Sequence, residues 1–385
     1  MLKYYSFAEA TGYGLSALAY VQGLRDSGAD LCWQPMTWDG TDQAYSCRSC
    51  SLRELEAWLR IVCPSSVSCA DVIGTDRQAD CVLLHTVPEY WPRLVEAGKP
   101  CVGYTVWETD RIPGHWDGLL GSVDKILTPS RQSKNVLQAS GCRPSVRVVP
   151  HLPSAEIESG ETDTRHLDSV LPANHYVFYT IDTWQPRKGM ELLLHAFLLS
   201  FAADDPVILY IKTSPAAVDA GNHHRMVSVV DLIEGIRSNY PDAARIVVDT
   251  KVRSGPEMAA LHQRGRCYVS LTRAEGWGMA AFDAAWAGTP IIMTGYGGQL
   301  DYLDGRYCQL VDYDLTPVRP NRLVASYSQD QRWAEADLDS AMAAMRNVFE
   351  DPGRAERNAR ALATLVRRKF SREETLRRLR EALYD

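Results

Sequence analysis

Short β-rich apolar runs alternate with helix-like segments through most of this chain, and that rhythm narrows the fold more than any other feature. CVLLH (81–85), KPCVGYTV (99–106), KILTP (125–129) and VRVVPH (146–151) are strand-like. Between the last two, SRQSKNVLQASG (130–141) has Ser130 placed as a helix N-cap and Gly141 as its stop. A polar, acidic stretch, 154–175, follows and reads as a linker. The rhythm then restarts with YVFYTID (176–182), VILYIKT (207–213), ARIVVDT (244–250), RCYVSLT (266–272) and TPIIMTG (289–295). The helix-like segments among them include 190–202 and 255–265. Alternating β and α units build a parallel sheet covered by helices on both faces. The expectation is an α/β chain with two doubly wound domains, 1–165 and 175–369. In such folds ligands bind beyond the carboxyl ends of the strands, so two facing domains would enclose a cleft.

The length of 385 residues suits two domains, each with its own core. A net charge of −7 argues against a nucleic-acid binder, which carries a basic face. No run reaches the 18 or so apolar residues of a membrane span. The start, MLKYYSFAEATGYG, lacks the basic and apolar regions of a signal peptide, so the chain is expected in the cytoplasm. Cysteines such as Cys81 and Cys267 sit in apolar runs and read as reduced core residues. Cys47, Cys50, Cys63 and Cys69 could open a zinc site. The wider second spacing and the helix-like SLRELEAWLR between the pairs favour reduced thiols. The C-terminus is Arg-rich and helical, and Ser371 with Glu374 fits a capping box. A helix over about 370–385 reads as a solvated terminal helix, one that packs back on the first domain, or a weak basic contact with anionic lipid at the inner face of the membrane.

The segment carrying the most chemistry is LTRAEGWGMAAFDAAWAGTPIIMTGYGG (271–298). A strand ends at Leu271, Glu275-Gly276-Trp277-Gly278 forms a loop, and a helix begins near Met279. Glycines at a strand-to-helix turn let a ligand approach the backbone, and the helix N-terminus offers N–H groups and a positive dipole end to a phosphate. Glu275 could accept hydrogen bonds from sugar hydroxyls. Asp283, about two turns down the same face, could meet a ribose. Gly297 and Gly298 add a second flexible backbone segment. The plain alternative is an ordinary βαβ unit with a loop carboxylate.

In order and spacing, this segment resembles the signature of the retaining glycosyltransferases of family 4. These share the GT-B fold, two Rossmann-like domains across a cleft. The family shows Glu, then Gly-aromatic-Gly, then a second acidic residue eight positions after the first. Here these are Glu275, Gly276-Trp277-Gly278 and Asp283, the last a departure from the usual Glu. The family's Lys-Gly helix start corresponds to Lys188-Gly189, where lysine meets the donor's phosphates as a point charge. Its usual Arg, about five residues earlier, is Thr183 here, which leaves Arg187 as the candidate second cation or a solvent-facing arginine. ATGYGLSALAYVQGL (10–24) resembles the family's first glycine-rich loop, with Gly12 and Gly14 near the diphosphate and Tyr13 on the acceptor side. WETDRIPGHW (107–116) and 123–141 resemble the second half of its first domain.

The resemblance also implies roles at other strand ends. His85 could contact the acceptor or the donor sugar, and Glu108 the acceptor, or either could hold local structure. Val252 and Arg253 would lie by the nucleobase, and Lys212 on the phosphate side or simply at the surface. The first domain would take the acceptor and the second the nucleotide-sugar donor.

The activity implied is retaining transfer of a hexose, mannose or a related sugar, from a nucleotide-diphosphate sugar to a glycan or lipid-linked acceptor, as in bacterial surface-glycan synthesis. Lys188, amides near Met279 and the helix dipole would stabilise the leaving phosphate, which itself takes the acceptor's proton. Glu275 would orient the sugar. No metal cofactor is implied, and Asp312-Tyr-Asp314, an Asp-x-Asp, reads as structural. A nucleotide-sugar epimerase or hydrolase, or a non-catalytic sugar-nucleotide-binding subunit, would share the fold.

Overall fold

The structure is a computed structural model that describes residues 1–39, 45–62, 73, 78–218, 226–319 and 326–384. Its contacts divide the chain into two compact units. One comprises Met1–Trp107, Arg111–Ala155 and Lys369–Asp385; the other comprises Glu108–Asp110 and Glu156–Arg368.

The first unit is built on β1 (Leu2–Phe7), β2 (Leu31–Trp38), β3 (Cys47–Ser49), β4 (Cys81–His85), β5 (Cys101–Tyr104), β6 (Lys125–Thr128) and β7 (Ser145–Val148). They form a seven-stranded sheet in the order β3-β2-β1-β4-β5-β6-β7. All neighbours pair in parallel except β2 and β3. The chain reverses its direction of winding between β1 and β4. The helix Gly12–Asp26 starts with Thr11, whose Oγ1 accepts from Gly14 N at 3.3 Å. Ser130 caps Arg131–Ala139 through Ser133 N. The core gathers Leu2, Leu18, Val21, Trp33 and Leu83 with Leu376, Leu379 and Leu383 from the C-terminal helix Arg372–Tyr384. Gly23 lets that helix approach, since a Cβ there would stand 3.1 Å from Leu376. Lys125 Nζ donates to Ala382 O at 2.7 Å. Ser371 does cap this helix, accepting from Glu374 N at 3.3 Å, while the Glu374 carboxylate binds Arg377 and Arg378.

The second unit contains β8 (Tyr176–Ile181), β9 (Val207–Lys212), β10 (Ala216–Val218), β11 (Met226–Ser228), β12 (Arg245–Asp249), β13 (Cys267–Ser270), β14 (Ile291–Thr294), β15 (Gln309–Val311), β16 (Tyr313–Pro317) and β17 (Arg332–Ala336). Six of them make a parallel sheet in the order β12-β9-β8-β13-β14-β15; β10-β11 and β16-β17 are antiparallel pairs. The apolar runs behind these strands bury Phe178, Leu209, Ile211, Val269 and Ile292 against Leu194, Phe197 and Met345, as strands covered on both faces require. The winding reverses between β8 and β13, which is where doubly wound sheets bind ligands.

Two expectations are corrected. The stretch 154–175 is not a free linker: it holds short helices Ala155–Ser159 and Arg165–Asp168, buries Leu167 and Leu171, and bonds Asp163 N to Pro256 O at 3.0 Å. Its acidic composition masked two leucines spaced to share one helical face. Glu108 groups with the second unit rather than the first, because Asp110 exchanges backbone and carboxylate hydrogen bonds with Arg332. Cys47 lies on β3 and Cys50 donates its N–H to Pro35 O at 2.8 Å, whereas Cys63 and Cys69 lie outside the described residues. Among the described residues no group of three or more His, Cys, Asp or Glu is placed to hold a metal, and no helix is long and apolar enough to cross a membrane.

Candidate active site

The site of the second unit forms where β8 and β13 end side by side. Beyond β8, Asp182 N donates to Lys212 O at 3.1 Å. A single 3-10 turn, Pro186–Lys188, follows, and Gly189 at φ 59° leads into the helix Met190–Ser200. Only glycine suits this junction, because a Cβ on Gly189 would stand 2.1 Å from Leu271 O. The contact presses the Arg187–Lys188 turn against the loop after β13. Arg187 O accepts from Arg273 N at 2.7 Å and from Thr272 Oγ1 at 3.1 Å.

Five charged side chains meet at this seam. Lys188 Nζ lies 2.6 Å from Asp182 Oδ1 and 2.5 Å from Glu275 Oε1. Arg187 Nη1 lies 3.1 Å from Glu275 Oε1 and donates to Ala274 O at 2.6 Å; its Nη2 is 3.8 Å from Glu108 Oε1. Tyr327 Oη donates to Glu108 Oε2 at 3.2 Å, and Thr272 Oγ1 to Glu275 Oε1 at 3.4 Å. The five side chains are only 8–17% exposed. Burial pushes the Glu275 carboxyl up, but Lys188 and Arg187 outweigh it and hold the group below its usual range. Asp182 and Glu108 go the other way: burial raises both, and their cations offset it only in part. Burial opposes the charge on Lys188, yet Asp182 and Glu275 keep its pKa above the ordinary value. Arg187 therefore faces carboxylates, not solvent.

The glycine loop completes the site. Gly278, at φ 82°, precedes the helix Met279–Ala287, whose first amides lack intrahelical partners. Tyr302 Oη donates to Trp277 O at 2.9 Å and Gly278 O at 2.8 Å. Trp277, 2% exposed, packs its ring on Phe282 and Tyr302; it shapes the loop from within. Gly298 N donates to Glu275 O at 2.7 Å, and a Cβ on Gly297 would come within 2.8 Å of the same oxygen. Met279 and Asp283 are half-buried on this helix.

The other candidates lie outside this charged cluster. Lys212 is half-buried at the end of β9, with Nζ donating to Thr213 O at 3.1 Å and its pKa lowered by burial. Val252 is 75% exposed. Arg253 is committed to Asp249 at 2.8 Å and Glu257 at 2.9 Å, so its guanidinium braces a helix start. Asp312 and Asp314 are exposed at the β16-β17 hairpin. In the first unit Gly12 is exposed, and Gly14 is needed by Glu9, whose carbonyl oxygen a Cβ would reach at 2.1 Å. Tyr13 Oη pairs with Thr105 Oγ1 at 2.9 Å. His85 is fully buried, bonded to Tyr4 Oη at 2.7 Å and Ser16 Oγ at 3.2 Å, and burial holds its pKa well down.

Two important residues escaped the sequence reading. Asp182 sits at a strand's carboxyl end, six positions before Lys188, and that placement was the available signal. Arg273 is 3% exposed, binds Glu335 at 2.6 Å and Glu191 at 2.7 Å, donates to Pro186 O, and stacks on Trp333. A charge inside the apolar run LTRAEGWG hinted at it.

Comparison with known proteins agrees with this fold. No curated protein sequence matches the chain. Solved structures do, over nearly its full length. Alr3699/HepE of Anabaena, in complex with UDP-glucose, superposes with a TM-score of 0.67 at 13% identity, covering 99% of this chain and 98% of that one. Sucrose-phosphate synthase of Thermosynechococcus elongatus gives 0.65 at 14%, covering 99% and 97%. The α,α-trehalose 6-phosphate synthase of Burkholderia multivorans gives 0.64 at 12%, covering 100% and 98%. These likenesses show a GT-B fold. A model described as family 4 glycosyltransferases in conflict systems matches residues 187–379, a span that opens on Arg187 and includes Lys188, Glu275 and Asp283. With just over half of its length matched, this chain belongs to the family 4 glycosyltransferases.

Proposed function

We propose that the second unit binds a nucleotide-diphosphate sugar, and that the chain transfers its hexose, with retained configuration, to a hydroxyl of a glycan or lipid-linked acceptor. The observation that carries this reading is the pairing of Lys188 and Arg187 with Glu275 at the head of the helix Met279–Ala287. Breaking the anomeric C–O bond leaves positive charge on the sugar and growing negative charge on the departing phosphate. Fixed donors aimed at that phosphate lower the barrier. Lys188, Arg187 and the first-turn amides of the helix supply them with no metal in the scheme. The acceptor's proton passes to a leaving phosphate oxygen on the same face. The contacts described for Glu275 fall on Oε1, and Oε2 is the oxygen assigned to a sugar hydroxyl. Asp283, on the same helix, is assigned to the ribose.

A panel of UDP- and GDP-hexoses tests this by thermal shift, followed by donor turnover with and without candidate acceptors. The matching donor at 100 times its Kd should stabilise the protein by about 2.7 kcal/mol. If no nucleotide sugar shifts the melting transition, the reading is wrong. Turnover to an epimer without acceptor would move the chain to a different reaction class.

A further inference from the structure

The seam between β8 and β13 holds more negative than positive charge. Three carboxylates, Asp182, Glu275 and Glu108, share two cations, Lys188 and Arg187. Among the described residues, phenols also face them, Tyr268 beside Asp182 and Glu275, Tyr302 near Glu275 and Tyr327 on Glu108, while Arg273 behind the turn is committed to Glu191 and Glu335. Burial keeps all three phenols neutral.

A donor's diphosphate brings two further negative charges. If it takes Lys188, as the proposed function requires, the carboxylates lose cationic partners unequally. Glu275 keeps Arg187 Nη1 at 3.1 Å, because a guanidinium can hold a carboxylate through one nitrogen while its other N–H groups meet a phosphate, and it keeps the hydroxyl of Thr272 at 3.4 Å. Glu108 has the Tyr327 hydroxyl at 3.2 Å and only a long 3.8 Å contact with Arg187 to lose. Asp182 loses the cation that stood 2.6 Å away, while its side chain is 8% exposed. A buried carboxylate stripped of its counter-ion costs several kcal/mol and is neutralised instead. The helix N-terminus, worth about half a charge, is too weak to balance both phosphates and three carboxylates.

We infer that binding of the donor diphosphate draws one proton from solvent into this cluster, and that Asp182 takes it. The proton forms an O–H bond on the Asp182 carboxylate as the ammonium of Lys188 turns to the phosphate. Asp182 thereby releases Lys188 instead of competing with the donor for it. This inference rests on the donor-site reading above, and it makes affinity a function of pH. Donor binding weakens by about tenfold for each pH unit between the proton's affinity in the empty and the occupied site.

Titration calorimetry on the full chain, in buffers of different ionisation enthalpy at neutral pH, counts the protons directly. UDP-glucose and GDP-mannose are suitable probes because each phosphate, with one ester and one anhydride link, has a single strongly acidic oxygen and stays ionised throughout. The wild type should take up about one proton per donor bound. Asp182→Asn should take up close to none and bind with little pH dependence, while Asp182→Glu should restore uptake. Glu108→Gln should retain it. Melting curves establish that each variant is folded. Absence of binding by both probes refutes the donor site itself. Binding by the wild type without proton uptake, or uptake that persists in Asp182→Asn, overturns the proton assignment and leaves the donor site standing. Loss of uptake in Glu108→Gln instead also overturns it.

Discussion

Gly189 meets Leu271 so closely that a Cβ on the glycine would lie 2.1 Å from the leucine's carbonyl oxygen. This contact brings the turn with both cations to the loop with Glu275. Gly189 also has φ 59°, a conformation costing a side-chain-bearing residue roughly 1–2 kcal/mol before any clash. Gly189→Ala should therefore cost about 3 kcal/mol or more in urea unfolding. It should reduce donor affinity even where the protein remains folded, because the turn must retreat.

Lys188 and Glu275 should part company when stability and activity are measured together. Alanine at either position should lower kcat/KM by about 10²–10³-fold. Removal of Lys188 leaves three buried carboxylates around Arg187, which should cost about 3–5 kcal/mol. Removal of Glu275 leaves Lys188 on Asp182 and Arg187 near Glu108, two cations for two carboxylates. Glu275→Gln gives up a carboxylate that both cations favour, yet leaves the charges balanced, so it should lose clearly less stability than Lys188→Ala. A large loss of stability in Glu275→Gln would contradict the charge count.

Arg273 joins the cation turn, the following helix and the β16-β17 hairpin through Pro186, Glu191 and Glu335. Arg273→Ala should cost about 3 kcal/mol by unpairing Glu335. Arg273→Lys keeps the charge but not the planar fork. That variant should raise KM for the donor several-fold more than it lowers kcat, as expected of a residue that positions Arg187 and Lys188 without touching substrate. Equal changes in both would argue against a positioning role.

Mild acid should weaken the fold. His151, beside Tyr104, and His262, beside Tyr179, are buried, and burial lowers each pKa to about 3. The unfolded chain protonates these groups near 6.5, whereas the folded chain does not. Their stabilising contribution is complete above that pH and is lost as pH falls from about 6.5 toward 3. At pH 5 each should cost about 2 kcal/mol relative to pH 7. Chemical denaturation at the two pH values measures the loss, and His262→Gln should reduce it. An unchanged or greater stability at pH 5 would rule this account out.

Particular residues show what the sequence could and could not convey. The strands at 81–85, 125–128 and 176–181 follow apolar runs that only buried parallel strands need, so local pattern located them closely. Lys188 and Glu275 stood out because each sits beside a glycine at a helix start. Arg273 did not, since its partners Glu335, Glu191 and Pro186 lie 62, 82 and 87 positions away and no periodicity records that, and Asp182 was marked only by its place at a strand end. Arg187 was ambiguous for the same reason: only the arrival of Glu275 and Glu108 decides which way it points. Leu167 and Leu171 were hidden by the acidic residues around them. Glu108 sits in a three-residue segment whose grouping with the second unit depends on Arg332 and Tyr327, far along the chain.

The contact between Lys125 and Ala382 spans 257 positions, and Leu376, Leu379 and Leu383 complete a core begun by Leu2. During synthesis the first unit to leave the ribosome is thus the last to be finished. Its sheet must wait, partly uncovered, while the whole second unit is translated and has time to fold. Nascent chains arrested before the helix Arg372–Tyr384 would present an apolar face to chaperones, and deletion of that helix would be felt at Leu2.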